Sequence, residues 1–281
     1  MPTQMPSDAE SESELTPQTI DRSCPDPNNI SPTPSSGVHN DEQHIAQSAR
    51  QVLVERQVLE RLAIHTSDLI VPKYTAIVPS DDMNGSITIE EDHMLVNVLV
   101  QPIPPPTVRA ITLSLCYALG HLHDLDIIHR DIKPENLLLS TRGQVRLTGF
   151  ALASSEPTAH SLIGTPEFMA PEMIRAEAYT AVVDWWALGC LMCELLTGQT
   201  PFAVPNRNVR DLLRMILYDP IVVPAHENVG PSEYHFIMAL LERDARFRLG
   251  NQGHTQVLAH AWCGGGGEAD RPESVNTNTC E

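Results

Sequence analysis

An α+β chain is what the sequence predicts, and three observations bear on it. A helical period followed by short strand-like runs occupies residues 45–100. From Val108 onward the chain turns to longer apolar helical periods, so strands and helices are segregated rather than alternating. The 281 residues suffice for one two-lobed domain with tails.

Composition narrows the partners. The formal net charge is −18, which argues against nucleic acid or an anionic membrane, since both need a basic face. A basic protein or peptide partner is compatible with it. The six cysteines are scattered, so a reducing compartment is expected rather than a disulfide framework. Cys190 and Cys193 form C-x-x-C inside an apolar helical run and read as core thiols, not a metal or redox site. Met1-Pro2-Thr3-Gln4 has neither the basic nor the apolar region of a signal peptide. The apolar run 185–196 is too short to span a bilayer. An intracellular location, cytoplasmic or nuclear, is expected.

The elements follow in order. Residues 1–40 are an acidic Pro/Ser-rich tail with too little apolar surface to offset its ordering entropy, so disorder is expected. Thr16-Pro17, Ser31-Pro32 and Thr33-Pro34 are either proline-directed phosphorylation sites or simply tail composition. Ile45, Ala49, Val52, Leu53, Leu59 and Leu62 repeat at helical spacing. Tyr74–Val78, Ile87–Glu90 and Met94–Val100 read as strands, with Asn84-Gly85 turning between the first two. Gln101–Pro106 holds four prolines and is expected to exclude helix. Val108–Asp124 is an apolar helix, Leu137–Leu139 and Val145–Leu147 are buried strands, and Ala151–Ile163 is a polar loop. Helices are expected over Tyr179–Gly198, Val209–Tyr218 and Glu233–Glu242, and Val257–Trp262 closes the domain. Gly264–Gly267 is a flexible linker into a polar tail over residues 264–281.

One stretch carries chemistry: His129-Arg130-Asp131-Ile132-Lys133-Pro134-Glu135-Asn136. It fits H-R-D-x-x-x-x-N, the loop that phosphoryl transfer needs. Asp131 would orient the attacking hydroxyl and receive its proton. Lys133 would supply positive charge beside the migrating group, and Asn136 an oxygen for a metal ion.

With Gly164-Thr165-Pro166-Glu167-Phe168-Met169-Ala170-Pro171-Glu172 and Asp184-Trp185-Trp186-Ala187-Leu188-Gly189, this loop makes the chain resemble a protein kinase, most closely the AGC group of Ser/Thr kinases. The resemblance covers roughly residues 45–263 and is poor before Ala110. It implies the bilobal protein-kinase fold, with a reduced N-lobe over about 41–101 and a complete helical C-lobe over about 107–263. It implies ATP and Mg²⁺ as cofactors. By resemblance, Glu55 is the N-lobe helix residue that pairs with the ATP-site lysine. Leu138 forms the adenine floor, and Phe150 stacks with His129 and Leu59 in an internal spine. Glu172 pairs with Arg248, and Asp184 anchors the catalytic-loop backbone. Arg130, Ser161 and Thr165 belong to the activation segment. Ser161 is either its phosphosite, paired with Arg130, or an unmodified serine. Glu135 and Glu194 either receive arginines of basic substrates or form a solvated face.

Three departures concern the ATP site. Gly37 and Gly85 are the only glycines before Gly120, so no glycine-rich phosphate loop is present. The only lysines are Lys73 and Lys133, and Lys73 follows Glu55 instead of preceding it. The metal motif D-F-G stands as Gly149-Phe150-Ala151, with no ligand atom at its first position. Metal stabilisation of this transition state is worth several kcal/mol, and about 1.4 kcal/mol is a decade in rate. Two functions are therefore open: a pseudokinase that acts through protein binding with weak or absent Mg·ATP binding, or an active Ser/Thr kinase with compensating N-lobe groups.

Overall fold

The computed structural model describes residues 52–65, 67–71, 93–95, 102–140, 144–203 and 208–264. These fall in one unit spanning residues 44–281. The tail with its candidate phosphosites, Lys73, the strands expected over 74–78 and 87–90, and the turn at 84–85 lie outside the described residues.

Helix α1 runs over residues 52–64. Its last turns bury Val58, Leu59 and Leu62. Val52 and Leu53, expected on this face, are instead 64% and 59% exposed. At 100° per residue Leu53 falls opposite the Leu59/Leu62 stripe. Glu55, one turn before Leu59, shares the stripe and is half-buried.

A small antiparallel sheet orders β1 (His93–Met94), β2 (Leu137–Leu139) and β3 (Val145–Leu147) side by side. Leu138 pairs with Met94 on one side and Arg146 on the other. The first strand occupies only the start of the run expected over Met94–Val100, whose remaining residues 96–100 are not described.

The expectation that Gln101–Pro106 excludes helix is corrected. Helix α2 spans Pro105–Asp124, with Pro104 as N-cap and prolines in its first two positions. Proline breaks a helix interior, but the first turn needs no N–H donor and suits its fixed φ. Ile103 leads straight into this helix, its N–H bonded to the Leu195 carbonyl at 2.7 Å. Ile111, Leu115, Leu119 and Leu122 make its inward stripe.

Short helix α3 (Pro171–Ile174) leads to α4 (Val182–Thr197), the buried axis of the lobe. Gly198 ends α4 with φ 78°, the left-handed conformation that closes a helix without Cβ strain. Residues 179–181, expected within this helix, precede it, because Tyr179 pairs with Ala159 in a β-bridge. Then come α5 (Val209–Tyr218), capped by Asn208 onto the Asp211 N–H at 3.0 Å, α6 (Pro231–Leu240) and α7 (His254–Leu258). Helix α6 starts two residues before the expected Glu233, because Pro231 again suits the first turn. The end expected over Val257–Trp262 is instead α7 plus a separate turn, Ala261–Cys263.

Helix α4 packs against α2 and α6, and α7 covers α2. Glu172 and Arg248 stitch this lobe together: Nη1 and Nη2 of Arg248 reach the two Glu172 oxygens at 2.6 and 2.9 Å, with Arg248 fully buried over the Trp186 ring. Cys190 and Cys193 are both buried, and burial pushes the Cys193 thiol up to about 12. No helix among the described residues is long and apolar enough to cross a membrane.

Candidate active site

Asp184 supports the site from below. It lies in the first turn of α4 and is fully buried. One oxygen accepts the His129 N–H at 2.9 Å, and the other accepts the Arg130 N–H at 2.8 Å. His123, in the last turn of α2, brings its Nε2 to 2.9 Å from the first oxygen. Burial pushes the Asp184 carboxyl up, but His123, His129 and the Arg130 amide outweigh it and hold the carboxyl below its usual range.

His129 is buried, and burial holds it low, hence neutral. Its Nε2 donates to the Thr148 carbonyl at 2.9 Å, which leaves Nδ1 to accept the Asp131 N–H at 3.3 Å. The Phe150 ring meets it edge-on at 5.1 Å, and Leu59 belongs to the same core.

Arg130 takes φ 68°, uncommon for a residue with a Cβ. Its guanidinium donates to the carbonyls of Leu152 at 2.6 Å and Ala153 at 3.0 Å, and to the Tyr179 hydroxyl at 3.4 Å. That hydroxyl donates to the Ser161 carbonyl at 2.8 Å. The structure therefore relates Arg130 to Ser161 through Tyr179, with the Ser161 side chain exposed.

Asp131 is enclosed by donors. Thr165 Oγ1 donates to Oδ1 at 2.7 Å, and Lys133 Nζ lies 2.8 Å from Oδ2. Lys133 also donates to Thr165 at 2.8 Å. Asn136 Nδ2 donates to Oδ2 at 2.9 Å and to the Asp131 carbonyl at 2.6 Å. Burial raises the Asp131 carboxyl, but Lys133, Thr165 and Asn136 together draw it below its usual range.

The Asn136 side chain then fills the space beside Gly149. A Cβ on Gly149 would collide with its Oδ1 and Cγ and stand 2.8 Å from its Nδ2, and Gly149 itself has φ 85°. The Thr148 N–H donates to the Asn136 carbonyl at 3.0 Å, fixing the two strands of this contact.

The remaining predicted residues are spread around this centre. Leu138 is buried yet lies outside the contiguous apolar core. Glu55 makes no hydrogen bond or ion pair to another described residue. Glu135 is exposed, whereas Glu194 is half-buried, with one oxygen lacking a partner among the described residues. Burial, then the charges of Glu135 and Glu167, push Glu194 up to about 7. Among the described residues no cluster of three His, Cys, Asp or Glu side chains is arranged to hold a metal. Sequence reasoning missed His123, Tyr179 and the acidic companion Glu167. Glu167 lies in a quoted motif, but nothing in the sequence signals the other two contacts.

Comparison with known proteins gives a family match: the protein kinase domain, over residues 38–263. The serine/threonine protein kinase ypkA of Aspergillus fumigatus is 40% identical over 156 residues, 54% of this chain and 24% of that protein. Rat serine/threonine-protein kinase Sgk2 is 40% identical over 151 residues, 52% of this chain and 40% of that protein. The cAMP-dependent protein kinase type 3 of Saccharomyces cerevisiae is 37% identical over 165 residues, 58% of this chain and 40% of that protein. The match thus spans well under half of each of these relatives.

Proposed function

The chain belongs to the protein kinase domain family, and on that premise we propose that it is an AGC-type Ser/Thr pseudokinase that works by protein binding. One observation carries the reading: Asn136 lies on Asp131 and against Gly149, in the space a metal-binding carboxylate at 149 would need. A magnesium ion requires several oxygen ligands in near-octahedral order. Gly149 offers none, so Asn136 Oδ1, whose amide nitrogen is held on Asp131, is the one remaining ligand atom of the pair that the family's metal motif supplies. The residues present therefore do not fit the Mg²⁺ that the family implies. With no glycine-rich loop and no lysine preceding Glu55, the N-lobe is read as reduced and ATP as weakly held. Leu138 keeps the position of an adenine floor. Basic peptides are the proposed partners, received by Glu135, Glu167 and Glu194. The free buried thiols among the described residues support a reducing compartment.

A second reading rests on Asp131. Lys133 and Thr165 hold it ionised and oriented, which is what an active transferase needs from its base. Two measurements separate the readings. Millimolar Mg·ATP is expected to move the thermal midpoint by less than about 1 °C, since tight binding stabilises by mass action. Transfer of γ-phosphate to basic peptides is expected not to exceed an Asp131→Asn blank. A shift of several degrees with transfer abolished by Asp131→Asn overturns the pseudokinase reading.

A further inference from the structure

We draw no further inference here: the strongest candidate, the two buried thiols of Cys116 on α2 and Cys263 in the last turn of the domain, rests only on the upward push that burial and then Cys263 give the Cys116 thiol, and no bond joins the two sulfurs.

Discussion

At position 149 the missing Cβ is what lets the Asn136 side chain lie against the backbone. Gly149→Ala should therefore be destabilising twice over. A left-handed conformation costs a residue with a Cβ about 1–2 kcal/mol, and Asn136 must also move off Asp131. We predict that Asn136→Ala relieves part of that cost. A double-mutant cycle in urea should show a coupling of about 0.5–3 kcal/mol, and strict additivity would mean the contact is wrong. The same crowding bears on repair. Gly149→Asp restores a ligand atom, but that carboxylate has to displace Asn136, so single-turnover transfer is expected to stay near the Asp131→Asn blank. Robust transfer by Gly149→Asp would show that Asn136 yields easily. The contiguous run from His129 to Asn136 was legible because its chemistry depends on spacing along the chain. The collapse of Asn136 onto Gly149 was not legible, because it joins residues thirteen positions apart in sequence through a turn that leaves no local pattern.

Among the elements, α2 shows where sequence reasoning goes astray. Its periodic interior from Val108 is readable, but the prolines before it suggest a barrier, whereas two of them form its first turn. Helix α1 shows a second limit: Leu53 fits a loose helical count but not the stripe that packing selects. The link between α3 and the segment beyond α6 was readable only through resemblance, since Glu172 and Arg248 are 76 positions apart. Arg248→Ala would strand the Glu172 carboxylate, with a loss of about 3–5 kcal/mol in urea unfolding. Arg248→Lys should recover only part of this, because an ammonium cannot span both Glu172 oxygens. Unchanged stability of Arg248→Ala would remove this pair as the stitch between the two segments.

For the molecule as a whole, two carboxyls pull the pH profile of stability in opposite directions. Asp184 is held low in the folded state, so its contribution is present above its unfolded value near ~4 and is lost as pH falls through the folded one. Glu194 is held high, at about 7. The folded state therefore favours its protonated form, and that contribution is present below ~4.3 and lost as pH rises through about 7. Self-repulsion in a chain of net charge −18 adds to the loss at neutral pH. Urea midpoints should accordingly peak between about pH 4.5 and 6. Glu194→Gln should flatten the neutral limb while leaving the acid limb unchanged. A profile that rises steadily to pH 8 in both proteins would contradict this assignment.

The Tyr179 hydroxyl, tied to Arg130 on one side and to the Ser161 carbonyl on the other, has a regulatory corollary. Arg130 already has acceptors in the carbonyls of Leu152 and Ala153, so the loop keeps its course with neutral partners alone. A phosphate arriving on Ser161 would compete for a guanidinium in use instead of recruiting an idle one. On the proposed reading, the surface built on this loop forms without phosphorylation, and a phosphate on Ser161 would disturb it.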